Sequence, residues 1–449
     1  MKKIFQYIML AVVTIVMASC TSDIEETTAT TGKNNVQLVV GEFPAFGDSQ
    51  TRAIGTPDEG KTSWAEGDEL LLEIDNTSYG RHNATFTYNG KSWELTSGEL
   101  VYREGDPAYI SHVYYAPNYK WEAGKLVLKE GKVAGTDEYI EGNARITGNG
   151  ETITVSFAEA TRNYSRLRIA TLPNEQITVD TEYFTPAGSS DMEQNGNYTL
   201  TSDEKGNAYL YGTFENNSEV TVKYREAALT TYTFSQATES AKSYALDATV
   251  ISANSAEEIK SAIEQKVADG KTTIRLNLAP NAGTNEFMAI REAIKGAAPN
   301  DLGTIELTII GVETIPEEAF YKMLQLKSVR MSDVKEIKKY AFKECQYLTV
   351  VEAPSLNKLC SGAFKKCVQL AKLTFGPINY ADERNWPIFE YITPNIDLIL
   401  SDYQKEMIET DDYLYTANND RDYAGSDEHN SKNFLGREFK SITCRYPVE

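Results

Sequence analysis

The sequence is poor in the residues that most often catalyse reactions or bind metals. It has three histidines, and His82, His112 and His429 lie far apart in the chain. None has a second ligand two to four residues further on, as a zinc site would need. We also expect neither a nucleotide-binding site nor a serine-hydrolase site. The prediction is therefore a protein that is not an enzyme and that binds no metal and no other cofactor.

Positive charge is also scarce. The chain has 44 lysines and arginines against 65 aspartates and glutamates, which gives a formal net charge of −21 at pH 7. A protein with this charge repels the phosphate backbone of nucleic acids. We therefore do not expect nucleic acid as a partner.

The N-terminus has the layout of an export signal. Two lysines precede an apolar run over residues 4–18, which is shorter than the roughly 20 residues needed to span a bilayer. Residues 1–19 are therefore predicted to be a signal peptide. The segment Met17-Ala-Ser-Cys20 resembles the lipobox of bacterial lipoproteins. The resemblance implies that Cys20 carries the lipid, and an ordinary signal peptide is the alternative.

Residues 20–35 are predicted to form a flexible tether, because they are polar and contain few apolar residues. Within the tether, residues 21–26 resemble the acidic tag that sends lipoproteins of Bacteroidetes to the outer face of the outer membrane. A plain solvated linker is the alternative. The resemblance implies a protein that is held in the outer membrane by its N-terminal lipid and exposed at the cell surface.

Many short β-type runs follow, separated by turn residues. Asn89 and Gly90 connect two of these runs and suit a two-residue hairpin turn. Helical patterns are rare before residue 250, so we predict a β-sandwich region over residues 36–250. The predicted strands are 36–40, 69–74, 84–88, 91–95, 109–115, 152–157, 166–170, 198–200, 208–214, 220–224 and 231–234.

Helical periodicity appears after residue 250. Ser255-Ala-Glu-Glu258 has the form of a capping box, which marks the start of a helix that stops at Gly270. A second helix is predicted to end at Gly296. We predict that residues 251–300 cap the region that follows. The apolar positions that mark the two helices are Ile259, Ile263 and Val267 in the first and Phe287, Ile290 and Ile294 in the second.

A repeat of 22 residues is the strongest pattern in the chain. A period of this length is typical of leucine-rich repeats, in which each unit cannot bury its apolar side alone. We therefore predict a short α/β-repeat solenoid over residues 301–380 and a C-terminal cap over 381–449. The columns of the predicted helical part are Ile315, Ala319, Phe320, Met323 and Leu326, then Ile337, Ala341, Phe342, Cys345 and Leu348, then Leu359, Ala363, Phe364, Cys367 and Leu370.

The motif A-F-x-x-C-x-x-L occurs in residues 341–348 and again in 363–370. It resembles the BspA-like leucine-rich repeats of bacterial surface proteins over about residues 302–380. Members of that family are associated with adhesion to host matrix proteins and to other cells. The resemblance therefore implies a binding module.

The cysteines of the repeats fall in two groups. Cys345 and Cys367 occupy one apolar column, and Met323 takes the same place in the first repeat. This substitution favours a packing role, so we predict that both cysteines are free thiols in the core. The state of Cys360 and Cys444 stays open.

A leucine-rich repeat presents the outward residues of its strands between the apolar columns. These positions are where we expect a ligand to bind. The candidate contact residues are Lys327, Ser328, Arg330, Thr349, Val350, Glu352, Lys372 and Thr374.

Two short motifs precede the β-rich core of the first half. Thr51-Arg52-Ala53 and Trp64-Ala-Glu-Gly-Asp68 resemble motifs of the fimbrillin-like proteins of Bacteroidetes. The resemblance implies two transthyretin-like β-sandwich subdomains, residues 36–160 and 161–250. In pilin members of that family, a protease cuts after an arginine, and loss of the first strand opens a groove for a strand of the next subunit. Arg52 is therefore a candidate processing site, and a plain surface arginine is the alternative.

Three functions stay open at this point. The first is a cell-surface lipoprotein that acts as an adhesin or binding module through its repeat face, with a host or bacterial surface protein or glycan as partner. The second is a pilus tip or accessory subunit that joins other pilus subunits by β-strand addition after cleavage at Arg52. The third is a surface glycan-binding protein, which exposed aromatic residues on the sandwich would favour.

Overall fold

The computed structural model describes residues 37–44, 46–48, 61–76, 80–98, 108–147, 152–156, 162–253, 255–381, 387–402, 433–435 and 437–445. In these parts the chain is mostly β with two α-helices, so the predicted mostly β fold is confirmed. Three large sheets dominate, and each packs on its own hydrophobic core. The domain limits given above stay predictions.

The first large sheet lies between residues 37 and 156. The strands in this part of the chain are β1 (Gln37–Val40), β2 (Gly47–Asp48), β3 (Glu69–Asn76), β4 (Gly80–Tyr88), β5 (Trp93–Gly98), β6 (Ala108–Tyr115), β7 (Tyr119–Glu122), β8 (Lys125–Leu128), β9 (Ile140–Thr147) and β10 (Thr152–Ser156). Seven of them pair in the order β1-β10-β9-β6-β3-β4-β5. Strand β1 is an edge strand that runs parallel to β10, and Leu38 and Val40 of β1 are buried in the core.

The hairpin between β4 and β5 differs from the prediction. Tyr88 pairs with Trp93, so the loop has four residues and not two. The side chain of Asn89 accepts hydrogen bonds from the backbone N–H groups of Lys91 and Ser92, at 2.9 and 2.7 Å. Asn89 thus closes a turn with its own side chain, a local alternative that competes with the two-residue turn.

The second large sheet lies between residues 162 and 247. Its strands are β11 (Ser165–Ala170), β12 (Gln176–Pro186), β13 (Glu193–Thr201), β14 (Asn207–Phe214), β15 (Glu219–Tyr224), β16 (Ala227–Thr233) and β17 (Lys242–Asp247). They pair in the order β16-β15-β12-β14-β11-β17-β2, and β13 pairs with β12. The short strand β2 therefore connects the start of the chain to the second sheet.

Strand β12 links two parts of the second sheet. Its first half pairs with β15 and its last residues pair with β14, and the change occurs at Tyr183, which has a φ of 49°. Ile177 and Val179 from the first half and Phe184 from the second half are all buried in the same core. A strand that bends in this way lets one sheet cover a core from more than one side.

The third large sheet starts at residue 251 and contains the repeats. The elements are β18 (Ile251–Ala253), α1 (Ala256–Ala268), β19 (Thr273–Leu278), α2 (Thr284–Ala297), β20 (Ile305–Ile310), β21 (Thr314–Ile315), β22 (Leu326–Met331), β23 (Glu336–Ile337), β24 (Val350–Ala353), β25 (Lys358–Leu359), β26 (Lys372–Phe375), β27 (Tyr380–Ala381), β28 (Asp397–Ser401), β29 (Asn433–Phe434), β30 (Arg437–Glu438) and β31 (Ser441–Arg445). Eight strands pair in parallel in the order β18-β19-β20-β22-β24-β26-β28-β31, and β21, β23, β25 and β27 form a second parallel sheet.

Both helices occur where they were predicted. The Ser255 hydroxyl caps α1 by accepting a hydrogen bond from the N–H of Glu258 at 3.3 Å. Helix α2 extends to Ala297, so Gly296 lies inside its last turn and does not end it. The apolar sides of α1 and α2 are buried against the first strands of the repeat sheet.

The predicted helical part of each repeat is wrong, because turns occupy these positions in the described repeats. Positive φ values recur every 22 residues, and an α-helix cannot contain such left-handed residues. Each repeat forms one coil of the solenoid, and its turn hydrogen-bonds to the turn of the next coil. For example, the N–H of Phe320 donates to the carbonyl of Ala341 at 2.8 Å. The left-handed positions are Glu318 and Lys322, Tyr340 and Glu344, and Gly362 and Lys366.

Candidate binding face of the repeat sheet

A column of stacked phenylalanine rings sets the spacing of the repeats. Phe320 stacks on Phe342 at 5.1 Å between ring centroids, and Phe342 stacks on Phe364 at 5.4 Å with an interplanar angle of 6°. Phe389 continues the column at 5.8 Å from Phe364, in a coil beyond the predicted repeat end at residue 380. These rings are fully buried, so the strands outside them are held in a fixed register.

The outward side chains of the strands align in two rows across the sheet. Their inward neighbours, such as Val329, Val351 and Leu373, are fully buried. The structure therefore brings the candidate contact residues together on one face, which we call the sheet face. The first row is Ser328, Val350 and Lys372, and the second row is Arg330, Glu352 and Thr374.

The remaining two candidates, Lys327 and Thr349, each directly precede a residue of the first row in the chain. Thr349 donates a hydrogen bond from its hydroxyl to the carbonyl of Lys327 at 2.8 Å. Strand β28 extends the first row beyond the predicted repeats, because Asp397 pairs with Lys372. The sequence prediction missed this extension, since the 22-residue register stops at Ile378.

Ion pairs cross the sheet face from strand to strand. The Lys327 Nζ lies 2.7 Å from a carboxylate oxygen of Glu306, and the Arg330 Nε lies 2.9 Å from one of Glu352. Glu352 also faces the Lys372 Nζ at 3.7 Å. Such exposed pairs contribute at most about 1 kcal/mol each. A charged ligand can therefore replace one partner of such an ion pair at a small energetic cost.

The second large sheet and its core, which we call the second β region, cover the N-terminal end of the sheet face. The Arg275 side chain on β19 donates to the carbonyl of Leu229 at 2.6 Å and lies 3.8 Å from the carboxylate of Asp247. Ile310 on β20 is fully buried and belongs to the core of the second β region. Burial lowers the pKa of Arg275. The open part of the sheet face therefore begins at strand β22.

A polar cleft of about 660 Å³ lies where the second β region meets the repeats. It lies beside loops that follow the parallel strands, and Arg225 approaches it from the β15–β16 turn. Lys335 and Glu313 form an ion pair of 2.6 Å on its wall, and Asp333 accepts a hydrogen bond from the N–H of Gly311. Two basic residues, Arg225 and Lys335, and two acidic residues, Glu313 and Asp333, line the cleft. Their charges cancel, so the cleft presents little net charge to a ligand.

Two cysteines of the repeats are free, fully buried thiols, as predicted. Burial raises the pKa of Cys345 to about 12, and it also raises the pKa of Cys367. These thiols are therefore neutral near pH 7 and poor nucleophiles. Cys360 and Cys444 are also free and are partly buried.

The segment before Arg52 contacts both β regions. Phe43 packs edge-on against Trp64 at 4.9 Å in the first core, whereas Phe46 lies under the guanidinium of Arg162, 4.1 Å from it. Arg162 is fully buried, donates to the carbonyl of Pro44 and forms a 3.0 Å ion pair with Glu138. Arg162 therefore holds Pro44 and Phe46 between the two regions.

The residues proposed for lipid attachment and processing, Cys20 and Arg52, lie outside the described residues. His429 does as well. Within the described part of the chain, no cluster of three or more His, Cys, Asp or Glu side chains could hold a metal ion. No helix in that part is long and apolar enough to cross a membrane.

The stretch 55–62 carries a pattern that we did not expect. It reads Gly-Thr-Pro-Asp-Glu-Gly-Lys-Thr, which has the spacing of a phosphate-binding loop. Such a loop must open a helix, but residues 61–68 lead through turns into strand β3. Lys61, the residue that would contact phosphate, is bound to Asp68 at 2.5 Å. The structural context is therefore not that of a nucleotide-binding site.

Comparison with known proteins identifies the repeats. Residues 302–394 match the family described as BspA type leucine rich repeat region, in six copies. No curated protein matches the chain. A crystal structure of GBS52, the minor pilin of the Gram-positive pathogen Streptococcus agalactiae, is similar at 9% identity over 48% of this chain and 94% of that one, but its TM-score of 0.17 is too low to support a structural argument. Residues 302–394 are thus similar to BspA-type leucine-rich repeats.

Proposed function

We propose that this protein is a non-catalytic surface lipoprotein that acts as an adhesin or binding module through the sheet face of its repeats. The observation that carries the proposal is the pair of side-chain rows on strands β22, β24 and β26, which are mostly polar or charged. The buried column of phenylalanine rings in the core keeps these strands in register. BspA-type repeats are associated with surface adhesion, which agrees with this use. The partner is a host or bacterial surface protein or glycan.

The proposal includes the arrangement of the chain at the cell surface. Cys20 anchors the protein by its lipid in the outer membrane, and residues 20–35 act as a tether. Two transthyretin-like β-sandwiches then hold a capped repeat solenoid away from the membrane. The contact of Arg275 with Leu229 supports a fixed orientation of the repeats on the second β region.

A test of this function blocks the sheet face without changing the core. Val350→Trp places a bulky side chain at the centre of the first row, where the existing side chain is only partly buried. Gln346→Trp is the matched control, because Gln346 is exposed on a turn of the same coil. Bacteria that display each variant would be tested for attachment to immobilised matrix proteins and to partner bacteria. We expect Val350→Trp to abolish attachment and Gln346→Trp to leave it intact, and equal attachment by both would refute the proposal.

A second candidate function is a pilus tip or accessory subunit assembled by β-strand addition. Its support is the placement of β1 as an edge strand whose residues Leu38 and Val40 fill the first core. Cleavage at Arg52 would free the segment that contains β1. Its removal would leave an apolar groove beside β10 that a strand from another subunit could fill.

N-terminal analysis of the protein from its own cells separates the two candidates. An acylated Cys20 at the N-terminus supports the anchored adhesin and refutes processing. A new N-terminus at Ala53 supports strand addition instead.

A surface glycan-binding role of the β regions has less support. In the described residues of these regions, the strongly exposed aromatic side chains are Tyr183 and Tyr232, at 45% and 46%. They lie on different strands, β12 and β16.

A further inference from the structure

We propose that the turns of the repeats form a second binding surface, which takes an acidic polysaccharide. This surface, which we call the turn face, consists of Tyr321, Lys322, Lys339, Tyr340 and Lys343. It belongs to a different part of each coil from the sheet face. The proposal therefore does not depend on the function proposed for that face.

Lysine and tyrosine side chains interleave on the turn face. The Lys343 Nζ lies 5.0 Å from the ring centroid of Tyr321 and 4.6 Å from that of Tyr340, so one ammonium bridges two coils. The Lys339 Nζ lies 4.8 Å from the Tyr340 ring, and the Lys322 Nζ lies 5.2 Å from the Tyr321 ring. Contact with the rings restrains the lysines and leaves their ammonium groups at the surface.

The backbone fixes the spacing of these groups. Lys322 and Tyr340 adopt positive φ values of 55° and 58° at the corners of their turns. The N–H of Lys322 donates to the carbonyl of Lys343 in the next coil at 2.9 Å. Hydrogen-bonded coils lie roughly 4.8 Å apart. The coils of the turn face are therefore evenly spaced, which suits an extended polymer that crosses them.

Positive charge is in local excess on the turns, because residues 316–325, 338–347 and 360–369 contain six lysines against three glutamates, Glu317, Glu318 and Glu344. In the described part of the chain, Lys339 and Lys343 have no carboxylate within ion-pair distance, whereas Lys322 and Lys366 share Glu344 at 3.5 and 3.6 Å. A chain with a net charge of −21 otherwise repels anions. The unpaired lysines thus create a positive strip that acts over the Debye length of about 8 Å at physiological salt.

The array extends along the repeats toward their C-terminal end. Tyr391 is 63% exposed, and the Lys365 Nζ lies 5.9 Å from its ring centroid. Lys365 is paired with Glu390 at 2.6 Å, so this end offers an aromatic surface more than a free charge. A ligand that binds the whole strip must therefore offer both flat apolar faces and separated negative charges.

An acidic polysaccharide has this chemistry. The face of a sugar ring stacks on a tyrosine ring, and its carboxylate or sulfate groups pair with lysine ammoniums. Its charges are more widely spaced than those of a nucleic acid duplex, which carries one charge per roughly 1.7 Å. The overall negative charge of the protein therefore opposes its binding less. A lipid surface fits less well, because Val368 is the one strongly exposed large aliphatic side chain on the three turns 316–325, 338–347 and 360–369.

The test compares two double variants of the full-length protein. Lys339→Gln with Lys343→Gln removes the unpaired charges of the turn face. Lys125→Gln with Lys260→Gln removes the same number of charges from exposed positions that belong to neither face. Binding to heparin and to polygalacturonate would be measured by calorimetry, with dextran as the neutral polymer and phosphatidylglycerol vesicles as the anionic membrane. Thermal unfolding would verify that each variant is folded.

We expect the turn-face pair to weaken polysaccharide binding about tenfold or more and the control pair to change it less than about twofold. Tyr321→Phe should retain binding and Tyr321→Ala should weaken it, because the proposed contact with the sugar is made by the aromatic ring and not by the hydroxyl group. Equal losses in both double variants, binding to vesicles but not to either polysaccharide, or no binding to either polysaccharide would each overturn the proposal.

Discussion

Cys367 donates a hydrogen bond from its Sγ to the backbone carbonyl of Phe342, 2.9 Å away in the preceding coil. Cys345 makes the same bond to the carbonyl of Phe320, also at 2.9 Å. Both thiols are fully buried. The recurring cysteine therefore links neighbouring coils through its thiol and also fills space. Met323 takes this position in the first repeat, where helix α2 and not a repeat coil precedes it.

Replacing the thiol should destabilise the repeats. We expect Cys367→Ala to lower the free energy of unfolding by about 1–2 kcal/mol, because it removes the donor and leaves a small cavity. Urea unfolding followed by circular dichroism measures the change. Cys360→Ala is the control, since Cys360 is only partly buried, and it should cost less than about 0.5 kcal/mol. Equal losses would show that the buried thiol has no special role.

Alkaline pH should weaken the fold through the same thiols. The pKa of Cys345 is about 12 in the folded chain against an ordinary value of 9.0, because burial disfavours the thiolate. Below pH 9.0 both states keep the proton, so the effect is absent. Between pH 9.0 and about 12 the unfolded chain loses the proton first, so stability falls as pH rises.

The matched comparison uses the double variant Cys345→Ala with Cys367→Ala. We expect the unfolding free energy of the wild type to fall more steeply above about pH 9 than that of the variant. Urea unfolding at several pH values measures both slopes. Parallel slopes would contradict the burial of the two thiols.

The phenylalanine column should contribute more than the thiols. Phe342 has rings on both sides, at 5.1 and 5.4 Å. We therefore expect Phe342→Ala to cost about 3–5 kcal/mol and Phe342→Leu clearly less. Tyr391→Ala, at a side chain that is 63% exposed, should have little effect. Thermal unfolding of the three variants measures this order, and a mild effect of Phe342→Ala would mean that the coils do not depend on the column.

The sequence predicted the core of the repeats well and their turns poorly. Ile337, Ala341 and Leu348 are buried, like the other members of the predicted columns. An apolar residue that recurs every 22 residues occupies the same place in each repeat, and that place lies in the core. The left-handed backbone at Lys322 and Lys366 could not be predicted, since lysine carries no preference for it. Only the glycine at position 362 gave a hint of such a turn.

The parts of the site that were missed depend on contacts between distant residues. The extension of the phenylalanine column to Phe389 follows a spacing of 25 residues and not 22, so the sequence register hides it. The contact of Arg275 with Leu229 joins two regions that no periodicity relates. The turn face was overlooked because Tyr321 and Lys343 occupy equivalent places in successive repeats and differ in type.

The buried ion pair between the two β regions should be essential for their contact. Glu138 accepts hydrogen bonds from Arg162 and from the hydroxyl of Tyr164 at 2.6 Å. We expect Glu138→Gln to cost about 3–5 kcal/mol, because it leaves the buried Arg162 charge without its carboxylate counter-charge. Glu138→Leu with Arg162→Met removes both charges and should cost less.

Limited proteolysis reports the same contact locally. In Glu138→Gln, the chain at Pro44, which Arg162 holds by a hydrogen bond, should be cleaved faster than in the wild type. Equal cleavage in the wild type and Glu138→Gln would contradict a holding role for Arg162.

The account as a whole depends on the sheet face as the place where the partner binds. Photo-crosslinking from single positions tests this most directly, with a benzophenone amino acid at Val350, at Thr374 or, as controls, at Gln346 and Tyr183, on living cells attached to their target. We predict crosslinks to the bound partner from Val350 and Thr374 and none from the two controls. Crosslinks from a control position, with none from the sheet face, would contradict the account.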